Sequence, residues 1–145
     1  HGKQLQARVP EGVDANRVLF IQGDAARLRA SEELADNGPF DALLLSNLLC
    51  RLSSPKDCLR QFTASDRYIK SGGILVIASP NTWMEEFTDP EEFLDGPDSD
   101  ATLAAIGQHL PGFTRLHAED LPFMIREHRR KYEYIVSQVS VWVKD

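Results

Sequence analysis

A chain of 145 residues, 42% hydrophobic and 26% charged, is long enough for one globular domain and too short for two of ordinary size. Its formal net charge of −6 and pI near 5.2 argue against general affinity for nucleic acid or an anionic membrane, both of which need a basic face. No stretch approaches the roughly 18 uninterrupted apolar residues of a membrane span, and His1-Gly2-Lys3-Gln4 has no signal-peptide character, so the reading is a cytoplasmic protein that handles small molecules.

His1 to Asn16 is polar, contains Pro10 and Gly12, and reads as a tether through residue 17. Val18-Leu19-Phe20-Ile21 then predicts a short strand closed by Gly23-Asp24, and Ala25 to Asp36 predicts an amphipathic helix anchored by Leu28 and Leu34 and stopped by Asn37-Gly38-Pro39. The pattern repeats. Phe40 to Leu45 is a second strand, followed by Ser46-Asn47 and the apolar Leu48-Leu49-Cys50. Ser53-Ser54-Pro55 places a capping hydroxyl before a first-turn proline, which opens a helix carrying Cys58, Leu59 and Phe62 on one face. Ser71-Gly72-Gly73 ends that helix and leads into Ile74 to Ser79, too apolar for a half-exposed strand and therefore read as buried on both faces.

From Glu85 to Asp100 there are eight acidic residues and no basic one, broken by Pro90, Gly96 and Pro97, so residues 85–101 read as an acidic surface loop or lid. Thr102 to Leu110 predicts a helix, Phe113 to His117 a short strand, and Glu119-Asp120-Leu121-Pro122 a turn. Tyr132 to Val143 is apolar on both parities, as a strand inserted into the middle of a sheet must be. Strands alternating with helices specify an α/β sheet, and such sheets bind ligands beyond the carboxyl ends of their strands. Cys50 and Cys58 form no Cys-x-x-Cys pair and read as free buried thiols, and the four scattered histidines show no metal-ligand spacing, so no metal is expected.

Residues at the predicted strand ends each have a chemical and a plain reading. Asp24 can accept a hydrogen bond from an exocyclic amine or ribose hydroxyl, or can serve as a turn residue. Asn47 can orient a neutral polar ligand or cap a helix. Trp83 beside Glu85-Glu86 can stack on a planar ring, or can dock on the core as a lid aromatic next to two solvated acids. Arg126-Glu127-His128-Arg129-Arg130-Lys131 can clamp a substrate carboxylate, or can be a solvated turn paired with the acids of the loop.

Three stretches carry a family resemblance: Asn47-Leu48-x-Cys50-Arg51-Leu52, Ser79-Pro80-x-Thr82-Trp83-x-Glu85-Glu86-Phe87-Thr88 and Asp120-x-Pro122-Phe123-x-Ile125-Arg126-Glu127-x-x-Arg130-Lys131-Tyr132. From about Phe20 to Trp142 the chain resembles the C-terminal S-adenosylmethionine-dependent methyltransferase domain of ovothiol synthases, departing from the pattern at Asn81 and Phe93, where aromatic and Trp residues are expected. The resemblance implies a Rossmann-like sheet of strand order 3-2-1-4-5-7-6 with an antiparallel final strand. It also implies methyl transfer to an imidazole nitrogen of a thiol-substituted histidine, downstream of an iron-dependent sulfoxide synthase domain in the same parent chain. It assigns Asp24, Ala25, Asn47 and Leu48 to the cofactor and Trp83, Glu85, Arg126 and Arg130 to the substrate. Glu86 and Tyr132 are the catalytic assignments, Glu86 on the substrate wall and Tyr132 orienting the ring nitrogen.

On this reading residues 1–145 are part of a methyltransferase domain whose first strands and Gly-rich cofactor loop lie upstream, so the isolated stretch is expected to be unstable or inactive. Methylation of another small amino acid or amine, and a non-catalytic methyltransferase-like remnant used for binding, are the alternatives.

Overall fold

In the computed structural model, which describes residues 8, 10–30, 32–64, 66–94 and 99–145, four strands form one mixed sheet. They are β1 (Phe40–Ser46), β2 (Ile69–Ser79), β3 (Phe113–His128) and β4 (Lys131–Lys144), in the order β1-β2-β4-β3. β1 and β2 are parallel, with Leu43 beside Leu75 and Leu45 beside Ile77, and β4 runs antiparallel to both of its neighbours, β2 and β3. β4 is central as expected, but it is not buried on both faces: Trp142 is buried, Val139, Val141 and Val143 are half-buried, and Tyr132, Tyr134 and Val136 are exposed beyond the end of β2. The order is that of the last four positions in 3-2-1-4-5-7-6.

Three short α-helices accompany the sheet: α1 (Glu32–Asn37), α2 (Pro55–Thr63) and α3 (Ser99–Gln108). α2 starts as its sequence dictates, with Ser54 Oγ accepting from the Asp57 amide at 3.3 Å and Pro55 in the first turn. Its Cys58, Leu59 and Phe62 share one core with Leu45, Leu75, Ile77 and Trp142 of the sheet and Ile106 of α3. Gly107 allows α3 close to the sheet, since a Cβ there would lie 3.4 Å from the Trp142 ring.

Several sequence expectations are corrected. Val18 to Ile21 is not a strand: it pairs with no strand of the sheet, and Phe20 is 92% exposed. A strand exists only where a neighbour accepts its ladder, and β-propensity alone does not supply one. Ala25 to Asp36 is not one helix, because a 3-10 segment at Ala25–Ala30 is kinked at Arg27 before α1 begins. β2 starts at Ile69, before Gly72-Gly73, and it is not buried on both faces. Leu75, Ile77 and Ser79 are buried, whereas Ile74, Val76 and Ala78 are half-buried and Leu44 beside them is 66% exposed. The buried side chains of α2 and α3 belong to the first face alone.

β3 does not turn at Glu119 to Pro122 but continues to His128. Pro122 and the paired charges resemble a turn signal, yet an edge strand tolerates both because its outer N–H groups need no partner in the sheet. The third helix begins three residues earlier than the predicted Thr102, at Ser99. Of the expected tether, residues 1–7 and 9 lie outside the described residues, as do 95–98 of the acidic loop. No helix among the described residues is long and apolar enough to cross a membrane.

Candidate functional site

At the carboxyl ends of the parallel pair the backbone makes two matching excursions. Asn47, just past β1, has φ +50°, and Asn81, just past β2, has φ +53°, the left-handed region that Asn tolerates better than other side-chain-bearing residues. Each is tied to β4 by its side chain. Ser137 Oγ donates to Asn47 Oδ1 at 2.8 Å, and Asn81 Nδ2 donates to Gln138 Oε1 at 3.3 Å. Asn47 N donates to the Ala78 carbonyl at 2.7 Å, and Asn81 N to Ser79 Oγ at 3.2 Å. Asn47 therefore holds the strand ends together and does not cap the 3-10 turn Leu49–Arg51, which has no side-chain cap. Asn81 is only 7% exposed, and its Oδ1 is buried without a partner. Sequence reading missed Asn81, Ser137 and Gln138 as a polar set. The available signal was the Ser137-Gln138 interruption of an otherwise apolar strand.

The segment after Asn81 is pinned to the start of α2. Arg51 Nη1 donates to the Thr82 carbonyl at 3.0 Å and its guanidinium lies 5.3 Å from the Phe87 ring centre. Thr88 Oγ1 donates to the Leu52 carbonyl at 2.6 Å, Ser54 Oγ donates to Glu92 Oε2 at 2.9 Å, and Lys56 Nζ donates to the Glu91 carbonyl. Trp83 docks on the core and stacks on Phe93 at 5.7 Å, while its Nε1 is buried without a partner. Glu85 and Glu86 lie in the exposed turn beyond it.

On the other flank of β1, Asp24 and Ala25 line a hollow of about 200 Å³ with Leu28 and Leu34, and Ala25 and Leu48 line a second apolar hollow of the same size that shares those two leucines. Asp24 Oδ1 accepts from the Ala26 amide at 2.9 Å. Beneath them, burial and then the nearby Asp24 carboxylate push the Cys58 thiol up to about 12. Both cysteines are free and buried. A third, polar cleft of about 570 Å³ lies beside α3, lined by Asp100, Arg115, His117, Glu119, Asp120 and Gln138 among others. The described residues hold no cluster of three or more His, Cys, Asp or Glu suited to a metal ion.

Arg126, Arg130 and Tyr132 sit elsewhere. They occupy the tip of the β3-β4 hairpin, where the Arg126 guanidinium lies 5.9 Å from the Tyr132 ring centre and Nε donates to the His128 carbonyl at 3.4 Å. Tyr132 is six residues along β4 from Gln138, the residue level with Ser79, which places it about 20 Å beyond the strand ends. The structure thus brings together Asp24, Ala25 and Leu48, with Asn47 beside them, and Trp83 with Glu85 and Glu86. It does not bring Arg126, Arg130 or Tyr132 to either group.

No family model and no curated protein sequence matches the chain. A solved structure from work on the conversion of a disulfide bond into a thioacetal group during echinomycin biosynthesis is similar to it, with a TM-score of 0.53 at 14% identity. The likeness is one of fold. It covers 85% of this chain and 54% of that one, so the chain spans about half the length of the structure it matches. Together with the strand order, the architecture is a mixed α/β one with a four-strand sheet, consistent with a methyltransferase-like fold.

Of the residues assigned to the cofactor, Asp24, Ala25 and Leu48 line the two apolar hollows and Asn47 lines neither. The joined apolar hollows, with the Asp24 carboxylate at one rim, suit a flat adenine ring whose exocyclic amine donates to an acid. A second carboxylate for the ribose and a Gly-rich turn are not found at this hollow among the described residues.

Proposed function

We propose that this chain forms part of an S-adenosylmethionine-dependent methyltransferase that acts on an imidazole nitrogen of a thiol-substituted histidine, within a longer enzyme that also carries a sulfoxide synthase domain. The observation that carries the methyltransferase reading is the sheet order, a parallel pair followed by an antiparallel strand inserted between β2 and β3. The acceptor rests on the three sequence stretches that resemble ovothiol synthases.

S-adenosylmethionine, when bound, supplies an electrophilic methyl group on a sulfonium. Asp24 and Ala25 would hold its adenine, with Leu48 as apolar wall and Asn47 at the edge shared with the acceptor. Asn47 is suited to that place because Ser137 fixes its Oδ1 and leaves the carboxamide N–H groups to orient a lone-pair acceptor. Trp83, held by Phe93, would form the acceptor wall, with the exposed Glu85-Glu86 turn at its rim. An imidazole nitrogen already carries its lone pair, so these groups act by position more than by proton transfer. Arg126 and Arg130 are the carboxylate clamps, and Tyr132 the orienting hydroxyl, of the same reading.

A screen of thiohistidine, histidine and simple amines with S-adenosylmethionine, read by mass spectrometry on the natural full-length protein, tests the acceptor. Methylation of thiohistidine above the others supports it. Preference for a simple amine replaces the acceptor, and no S-adenosylmethionine binding at all rejects the enzyme reading in favour of a binding module.

A further inference from the structure

The outer half of the β3-β4 hairpin is an exposed apolar surface among the described residues, another being the run Val18 to Phe20. From Leu121 onward it leaves the sheet as a two-stranded arm about 25 Å long, and a ribbon of two strands alone is marginal in water. Met124 and Tyr134, directly opposite each other, are 64% and 70% exposed, with Tyr132 and Val136 exposed on the same face and Leu121 and Ile125 on the other. Scattered single apolar residues need no explanation, but six on one thin arm mark an interaction surface.

The β3 edge of the arm is poorly suited to strand addition, whereas the β4 edge from Lys131 to Ser137 runs past the end of β2 and has no second strand beside it among the described residues. Pro122 lacks an N–H, Glu119 and Asp120 bring charge, and the register breaks near Arg115 and near Arg126. The faces and the tip carry the exposed apolar and charged side chains that a partner can meet. The tip is cationic: Arg129 and Arg130 make no ion pair among the described residues, and Lys131 pairs only locally, with Glu127 and Glu133. A surface of opposite charge lies on the same molecule, on a segment held to the start of α2. Glu85, Glu86, Asp89 and Glu91 are exposed on a segment whose tertiary hydrogen bonds, Asn81 to Gln138 apart, run to Arg51 through Lys56.

We propose that the arm docks on a second copy of this chain, with its basic tip seated against the acidic turn Glu85 to Glu91 of that copy and its apolar faces covered in the process. Because one molecule presents both the tip and the turn, a two-fold pair makes the contact twice and closes without leaving either patch free. The six side chains at about half exposure, with the long cations of the tip, offer on the order of 600 Å² per copy, near the roughly 800 Å² per partner of a standard interface. Resting on the functional reading above, the pair also accounts for the separated residues: Arg126, Arg130 and Tyr132 of one copy reach the Trp83 to Glu86 wall of the other.

Sedimentation velocity on the natural full-length protein tests this without reference to activity, so loss of the dimer and loss of methyl transfer remain separate results. A dimer is expected that weakens as salt rises. Arg129→Glu with Arg130→Glu should weaken it at least tenfold, as should Glu85→Lys with Glu86→Lys, and combining the four should restore it. Circular dichroism unchanged in each variant shows that folding is not the cause. A disulfide between Arg130→Cys on one tagged copy and Glu86→Cys on another should form across copies. A monomeric protein, a dimer indifferent to both reversals, or reversals that do not compensate would overturn the proposal.

Discussion

Asn81 concentrates three separate demands at one position: a left-handed backbone, a donor for Gln138 and burial. Asn81→Ala should cost about 1–2 kcal/mol for the backbone and about 1–3 kcal/mol more for the stranded Gln138 acceptor, whereas Asn81→Gly avoids the first part. Urea denaturation of the two variants separates the contributions. Cys58 carries a pH signature. Its thiol pKa rises from an ordinary 9.0 to about 12 on folding, so the unfolded chain releases the proton first as pH climbs. The stability this gives is complete below pH 9 and is lost as pH rises toward 12, with a slope approaching about 1.4 kcal/mol per pH unit. Cys58→Ala should remove that slope in denaturation curves taken across the window. For the reaction, Arg126→Ala should raise KM for the acceptor about tenfold or more while leaving that for S-adenosylmethionine nearly unchanged. Equal effects on both would reject the carboxylate clamp.

Elements whose signals are local chemistry were legible in the sequence. The Ser54-Pro55 start of α2 is one, because a hydroxyl cap and a first-turn proline act within four residues. Ser54→Ala should lower stability by about 1 kcal/mol, and more if the Glu92 contact matters, as thermal unfolding will read. The central position of β4 matched expectation, but not through burial of both parities, since Val139, Val141 and Val143 are half-buried and Tyr132, Tyr134 and Val136 are exposed. β3 was misread because Pro122 carries the same chemistry in a turn and in an edge strand, and only the pairing with Val136 distinguishes them. Gly72-Gly73 was misread as a helix stop for a related reason. Gly73 is required by crowding within β2, where a Cβ would meet Ile69 Cγ1 at 2.7 Å and the Lys70 carbonyl at 2.8 Å. Gly73→Ala should therefore destabilise by about 1–3 kcal/mol, measurable by the same unfolding curves.

At the scale of the whole molecule, the strand run Val18 to Ile21 and the two-face burial of β2 could not be read from the chain, because both depend on what packs beside them. Leu44, Val76 and Val141 look like core residues in sequence, yet the helices cover the opposite face. Half of the candidate site was similarly legible. Asn47 and Trp83 follow from their places after strands, and Asp24 was reached through a strand that the structure does not contain, whereas the links from Asn47 to Ser137 and from Asn81 to Gln138 join residues more than fifty positions apart. The distance of Arg126 and Tyr132 from that site appears only once the hairpin is seen to extend past the sheet. Methyl transfer is tested most directly by supplying methyl-labelled S-adenosylmethionine and thiohistidine to the natural full-length protein. Label recovered on the imidazole ring, and lost on Trp83→Ala, is the predicted result, while intact S-adenosylmethionine with no bound cofactor by calorimetry would contradict it.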